Sequence, residues 1–179
     1  MERAEIVSFW GHDNLRRWPE QCLRDLEIPH SSKSYLINVG LPAFKDEHFQ
    51  FDPLVGNPPR LAGRPQFRTI GLMSEFTPIC LDPRSDGCVM SMDTEMLELA
   101  KHINPSALDR HINSNVECFA ECLILFVQFR RTARLATEAV FSKLMAGLER
   151  DLLKVDPAVF DDPENLWAIT VWEMKEGLG

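Results

Sequence analysis

The chain is 179 residues long; 45% of its residues are hydrophobic, 26% are charged, and its formal net charge is −8. A chain of this size can bury a sizeable core without disulfides or metals, so we expect residues 1–179 to form a single domain. The acidic balance disfavours nucleic-acid binding, which requires a clustered basic surface. The same balance is compatible with a basic protein partner.

Hydropathy and cysteine usage both favour a cytoplasmic protein. The amino-terminal residues lack the apolar segment of a secretory signal, and the most apolar stretch, residues 118–129, is too short to span a membrane. The five cysteines are odd in number and match no disulfide framework, which is typical of reduced thiols in a cytosol.

The first segment of the chain, residues 3–26, has a helical pattern. Apolar residues recur at spacings of three and four, which places them on one helix face: Leu15, Trp18, Cys22 and Leu26. Pro19 fits the first turn of a second helix, where its missing N–H group is not needed. The sequence therefore predicts consecutive amino-terminal helices.

A further helix is predicted over residues 33–39. Either Ser31 or Ser32 is placed to cap its first turn. Gly40 can adopt the left-handed conformation that ends a helix, and Pro42 cannot continue one. This stretch is therefore interpreted as a helix followed by a sharp stop.

The middle of the chain has the pattern of β-strands. Residues 49–62 are rich in proline and glycine and are predicted as a loop that includes at most one short strand. Three strands are predicted, over residues 67–72, 76–82 and 88–93. The turn over residues 83–87 contains an Asp-Gly pair, which tolerates positive φ. This succession predicts a β-meander.

The last third is predicted to be mainly helical. Ser114 and Glu117 have the spacing of a capping box. The apolar residues nearby form one broad stripe: Val116, Phe119, Ala120, Leu123, Phe126 and Val127. A second helix is predicted over residues 131–153, and residues 166–175 suit either a helix or a strand. The whole pattern predicts an α+β fold, in which an antiparallel or mixed β-sheet packs against amino-terminal and carboxy-terminal helices.

Four carboxylates cluster on and after the predicted hairpin: Asp82, Asp86, Asp93 and Glu95. Such residues are most often turn formers and solvated strand ends, although a carboxylate pair or a magnesium site uses the same residue types. A hairpin could bring the sulfurs of Cys80 and Cys88 together as a zinc pair, but neither cysteine belongs to a short Cys-x-x-Cys or histidine-bearing motif. Core packing is the better interpretation of these thiols.

No standard catalytic motif is present in the sequence. There is no His-Glu-x-x-His helix, no Gly-x-Ser-x-Gly turn and no glycine-rich phosphate loop. We therefore expect a protein that is not an enzyme and that needs neither a cofactor nor a metal.

Aromatic and basic residues offer two further candidate surfaces. We expect the four tryptophans to be buried, although tryptophan is also common in binding hot spots. They are Trp10, Trp18, Trp167 and Trp172. Three arginines beyond the apolar stripe are interpreted as a solvated basic face: Arg130, Arg131 and Arg134. Neither set identifies a ligand.

Five phrases of the sequence occur in the order seen in one family. The chain resembles the SUKH superfamily of bacterial toxin-immunity proteins, most closely its fourth named family, through these phrases: IPHSSKSYLINVGLP (28–42), RTIGL (68–72), PICLDPRSDGCVMSMD (78–93), HINSNVECFAECLILF (111–126) and VDPAVF…LWAITVWEM (155–174). The phrase HINSNVE departs from the usual Phe-Val-Asn-Ser-Ser opening but keeps its capping chemistry.

The resemblance implies a β-sheet packed against terminal helices, no enzymatic activity, and a toxin domain as the protein partner. Such a toxin, often a nuclease or a deaminase, would be neutralised by occlusion of its active site. The four hairpin carboxylates would then mimic phosphates against a basic nuclease. Two alternatives remain open: a general interaction scaffold of the same superfamily, and a metal-dependent hydrolase that uses those carboxylates.

Overall fold

The computed structural model describes residues 2–45, 50–55, 60–61, 64–73, 77–92 and 109–177. These residues form six α-helices: Arg3–Trp10 (α1), Glu20–Leu23 (α2), His30–Asn38 (α3), Val116–Ala133 (α4), Glu138–Val155 (α5) and Leu166–Lys175 (α6). They also form nine strands: Leu15–Arg16 (β1), Leu41–Pro42 (β2), Phe44–Lys45 (β3), Gln50–Pro53 (β4), Arg60–Leu61 (β5), Arg64–Met73 (β6), Thr77–Asp82 (β7), Cys88–Met92 (β8) and Asp109–Asn113 (β9). The predicted α+β class is confirmed.

The main sheet is an antiparallel meander, as predicted. Its strands lie in the order β3-β4-β6-β7-β8-β9, β5 pairs with β6, and every pairing is antiparallel. The short pair β1-β2 forms a separate two-stranded sheet. Along β7 successive residues alternate between the faces of the sheet, as in any strand. Ile79 and Leu81 join the large core cluster, which includes residues of the helices, and Cys80 joins a small cluster with Phe67 and Met92.

The segment 3–26 contains two helices, α1 and α2, as predicted, but they are separated by a 3-10 turn and by β1, so the predicted helical face is wrong for Leu15 and Trp18. Helix α1 ends where Gly11 adopts a φ of 76°, and Leu15 lies in β1. Pro19 precedes α2 as its N-cap, in an extended conformation, instead of occupying its first turn. Leu15 and Trp18 are buried, 6% and 2% exposed. The spacing of apolar residues therefore reported burial correctly but not helix geometry.

Helix α3 ends as the sequence predicts, at a glycine with positive φ. Gly40 has a φ of 86°, and its N–H donates to the Tyr35 carbonyl at 3.0 Å. A Cβ atom there would collide with the carbonyl of Arg16 in β1, so the glycine also lets the two chain segments meet. The predicted serine caps are wrong because Pro29 is the N-cap. Ser32 is fully buried, and its hydroxyl donates to Glu117 at 3.1 Å.

Helix α4 forms the centre of the core. Every residue of its predicted apolar stripe is buried. The ring of Phe119 lies edge-on to Phe51 of β4, with 5.2 Å between the ring centroids. Gly71 of β6 lies under the same Phe51 ring, where a Cβ atom would come within 2.6 Å of Cζ. Helix and sheet therefore pack through a phenylalanine pair that depends on a glycine.

The carboxy-terminal helices differ from the prediction in their boundaries. Helix α4 ends at Ala133 and α5 begins after Thr137, so the predicted helix over residues 131–153 spans a break. The residues left open between helix and strand form helix α6. The predicted capping box is wrong because Asn115, and not Ser114, is the N-cap; its Oδ1 accepts from the Cys118 N–H at 2.8 Å. Among the described residues, no helix combines the length and apolarity needed to cross a bilayer.

Two glycine-to-alanine substitutions should change stability in opposite directions. Gly71→Ala should lower the free energy of unfolding by about 1–3 kcal/mol because the new methyl group overpacks against Phe51. Gly147→Ala, in the middle of α5, should raise it by about 0.5–1 kcal/mol because alanine favours a helix and the nearest atom to its Cβ lies 3.8 Å away. Urea denaturation of both variants measures the difference. A Gly71→Ala protein as stable as wild type would contradict the close contact with Phe51.

Candidate functional site

One buried carboxylate joins the end of β9 and the start of α4 to the end of α5. Asp156 is 2% exposed, and its Oδ2 accepts hydrogen bonds from the Ser114 N–H at 2.7 Å and the Asn113 amide at 3.0 Å. Its Oδ1 accepts from the Ser114 hydroxyl at 2.8 Å and the Ala158 N–H at 3.2 Å. Both oxygens are therefore matched by protein donors.

These hydrogen bonds keep Asp156 ionised. Burial alone would raise the pKa of its carboxyl, but the donors on Ser114, Asn113 and Ala158 outweigh burial and hold the pKa below its ordinary value. A carboxylate in this state accepts hydrogen bonds but is a poor proton acceptor at neutral pH. The geometry suits a structural role and not that of a general base. We call Asp156 together with its donor residues Asn113, Ser114 and Ala158 the Asp156 brace.

The brace extends into helix α6 through Asn113. This side chain is fully buried; its Oδ1 accepts from the Trp167 indole N–H at 2.9 Å, and its amide donates to the Cys122 sulfur at 3.3 Å. Trp167 in turn packs beside Phe126 of α4, with ring centroids 5.7 Å apart. The Asn-Ser and Asp-Pro phrases of the sequence therefore meet inside the protein, together with the first carboxy-terminal tryptophan.

The hairpin carboxylates have different environments. Asp82 is 7% exposed, and both of its oxygens are bound by the Arg84 guanidinium, at 3.1 and 3.2 Å. Burial would raise the pKa of Asp82, but bonds from Arg84 and Ser85 outweigh it and leave the pKa lowered. Its charge is thus compensated within the turn.

Asp86 is the exposed carboxylate of this turn. It has a φ of 50° and is followed by Gly87 at 74°, as predicted for an Asp-Gly pair. A Cβ atom on Gly87 would lie 3.1–3.3 Å from atoms of Pro29 and Ile28, so the tip of the hairpin packs against the segment before α3. Asp93 and Glu95 lie outside the described residues. The described residues therefore bring only two of the four predicted carboxylates together, and one of these is already paired.

The cysteines are packed thiols and do not form disulfides. In the β7-β8 register Cys80 lies opposite Met90 and Cys88 lies opposite Asp82, so the two thiols considered as a zinc pair are not cross-strand partners. Burial raises the pKa of Cys88 to about 11 and that of Cys122 to about 12. In the part of the chain that the structure describes, no three histidine, cysteine or acidic side chains are grouped closely enough to hold a metal ion.

Three of the four tryptophans are buried, as expected, and one is not. Trp10, Trp18 and Trp167 are at most 7% exposed, whereas Trp172 on α6 is 56% exposed. Within the arginine cluster, the Arg131 guanidinium lies 5.0 Å from the centroid of Phe9, so this residue also packs α4 against α1. The sequence alone does not separate Trp172 from Trp167, since the difference depends on which face of α6 meets the core.

A groove with a volume of about 360 Å³ lies between α4 and α5. Leu125 and Phe129 of α4 line it together with Leu144 of α5. Its charged lining consists of Lys143 and of Arg150, which pairs with Asp151 at 3.3 Å. No motif in the sequence indicated this groove, because its two walls lie in different helices.

Replacing Asp156 by asparagine should lower the free energy of unfolding by about 2–4 kcal/mol, because four donors lose a charged acceptor. The lowered pKa also fixes the sign of the pH dependence. The contribution of Asp156 is complete above its ordinary pKa of 3.8 and is lost as pH falls through the lower folded value. The difference between wild type and Asp156→Asn should therefore shrink in strong acid, as measured by urea denaturation from pH 7 to pH 2.

The matched control is Asp151→Asn on the surface of α5. Asp151 accepts from Lys154 at 2.9 Å, and its side chain is 37% exposed, so solvent screens the pair and little stability should be lost. Equal losses in the two variants would show that Asp156 is an ordinary surface carboxylate and would refute the brace.

Comparison with known proteins gives a match to one protein family. A family model described as SUKH-4 immunity protein matches residues 1–173. Neither the curated proteins nor the solved structures give a match. The matched range contains the helix stop at Gly40, the meander, the Asp156 brace and all of α6 except its last two residues. The chain therefore belongs to the SUKH-4 immunity protein family.

Proposed function

We propose that this protein binds a toxin domain of the nuclease or deaminase class in the cytoplasm and neutralises it by covering its active site. Membership of the SUKH-4 immunity protein family is the observation that carries this proposal. Residues 1–179 would act as one domain; in support, buried residues from α1 through α6 belong to one core cluster. The partner is a protein, in keeping with a net charge of −8 that repels nucleic acid.

A binding role, as opposed to a catalytic one, is supported by the environment of the ionisable groups. The two buried carboxylates of the described residues, Asp82 and Asp156, are fully engaged by internal donors. Burial also raises the pKa of Cys118 to about 11, so its thiol is protonated at neutral pH. Residues in such states stabilise a fold but do not supply a nucleophile or a base.

We propose that the carboxylates predicted on and after the hairpin attract the toxin at long range. Asp86 contributes an exposed negative charge at the hairpin tip, and Asp93 and Glu95 belong to the same proposal from outside the described residues. The charge of Asp82 is compensated by Arg84 and would contribute less. Complementary charge mainly accelerates encounter between partners.

The proposed function predicts that this chain rescues cells from one particular toxin. Each toxin domain encoded by the source genome would be expressed in a test bacterium, with and without this chain. Growth should be restored for a cognate toxin. Failure to restore growth with any toxin, while the chain accumulates in folded form, would contradict an immunity role and favour the scaffold alternative.

Titration of the purified cognate toxin separates binding from catalysis. Occlusion predicts that toxin activity falls linearly and ends at a fixed molar ratio of the two proteins. It also predicts that active toxin is recovered when the complex is dissociated in denaturant and the toxin is refolded alone. Loss of activity at a small fraction of one equivalent would indicate enzymatic inactivation instead.

Neutralising three hairpin carboxylates should slow association with that toxin. The variant Asp86→Asn/Asp93→Asn/Glu95→Gln removes three charges, and asparagine tolerates the left-handed conformation of residue 86. We expect association to be slowed about 3–10-fold at low salt and almost unchanged at high salt, because screening removes the effect. Stopped-flow fluorescence at two salt concentrations measures this. An unchanged association rate at low salt would exclude these carboxylates from the encounter.

A further inference from the structure

Helix α6 has one face that the core buries and one that it leaves exposed. Trp167, Val171 and Met174 point into the core, and each is at most 8% exposed. At 100° per residue the opposite face centres on four side chains: Ile169, Trp172, Glu173 and Glu176. Of these, Ile169 is half-buried and the other three are exposed. We call these four residues the outer face of α6.

Trp172 is the feature of this face that the fold does not explain. It is 56% exposed, whereas the other three tryptophans of the chain are at most 7% exposed. Exposed tryptophan leaves a large apolar area in contact with water, and at interfaces this side chain is the one most enriched in hot spots. Its neighbour Ile169, one helical turn away, extends the apolar area.

The charge around Trp172 is negative and uncompensated. Lys175, the only cation of α6, donates to Glu149 of α5 at 2.6 Å and is therefore already paired. Within the described part of the chain, no cation forms an ion pair with Glu173 or Glu176. The loop that leads into α6 adds three exposed carboxylates: Asp161, Asp162 and Glu164. On the outer face itself, the apolar centre of Trp172 and Ile169 is thus accompanied by two acidic groups, Glu173 and Glu176.

The groove between α4 and α5 is the competing surface, and its charge is opposite. The charged side chains that line it are Lys143, Arg150 and Asp151. Because Asp151 pairs with Arg150 at 3.3 Å, the lining keeps a net positive charge through Lys143, which would repel a basic partner. The exposed side chain of Val140 lies on the same side of α5 as Leu144 and Gly147 of the groove, at helical spacing. The outer face of α6 therefore suits a basic partner better than the groove does.

We propose that the outer face of α6 is the docking surface for the toxin domain. Trp172 is the anchor that enters an apolar depression on the toxin, and Glu173 and Glu176 contact lysine or arginine residues at its rim. The inference rests on the proposed immunity function and specifies which surface performs it. An active site that binds phosphate groups carries such basic residues, so this face would compete with the substrate of a nuclease.

The test uses the full chain and the cognate toxin found in the growth assay. Trp172→Ala should weaken binding at least about 30-fold, mainly through faster dissociation, because it removes a buried anchor. Glu173→Lys/Glu176→Lys should weaken binding about 10-fold or more at low salt and less at high salt. Surface plasmon resonance measures both rate constants, and thermal unfolding verifies that each variant is folded.

Matched controls separate this face from a general surface effect. Val140→Ala shortens another exposed apolar side chain, 47% exposed against 56% for Trp172, on the groove side of α5. Asp25→Lys/Glu27→Lys changes the net charge by the same amount at exposed positions elsewhere. Both controls should bind within about twofold of wild type.

The outcomes distinguish this inference from the proposed function. If wild type neutralises the toxin and the α6 variants bind equally well, the docking surface is wrong and the immunity function stands. If Val140→Ala weakens binding instead, the groove is the docking surface. If the wild-type chain neutralises no toxin, the proposed function fails and this inference fails with it.

Discussion

The architecture depends on an ionised carboxylate held inside the protein. Isolating such a charge from water costs several kcal/mol unless its oxygens are hydrogen-bonded, and Asp156 meets this condition with donors from Asn113, Ser114 and Ala158. Two of these donors are 42 and 43 residues away in sequence. The brace therefore forms only when β9, the start of α4 and the end of α5 have come together. It stabilises that arrangement relative to other compact arrangements of the chain.

Several residues in the phrases through which the chain resembles its family lie in the interior. Asn113 and Trp167 belong to the brace, Gly40 allows α3 to approach β1, and Gly71 makes room for Phe51. Each has a local physical reason that involves no partner. These residues maintain the scaffold, and under the proposed function the choice of toxin would depend on side chains on the outside of it.

Local rules predicted those parts of the fold that depend on neighbouring residues. The stop at Gly40, the Asp-Gly turn, the meander and the buried stripe of α4 follow from backbone geometry and periodicity. The errors arise where a contact with a residue distant in sequence overrides the local preference. Ser114 has the right spacing to cap α4, but its hydroxyl is bound to Asp156, so Asn115 takes over the cap. Leu15 and Trp18 are buried at helical spacing although Gly11 has already ended the helix.

The candidate site shows the same limit of local prediction, because residues that are close in sequence can have different environments in the folded protein. Asp82 and Asp86 are four residues apart, yet Arg84 neutralises the first and leaves the second exposed. Trp167 and Trp172 are five residues apart on one helix, which turns them to opposite faces; one completes the brace and the other meets solvent. Helix α6 thus connects the two properties that an immunity protein needs. Its inner face is fixed by the contact of Trp167 with Asn113, which is bound to the buried Asp156, and its outer face carries Trp172, the anchor of the proposed docking surface.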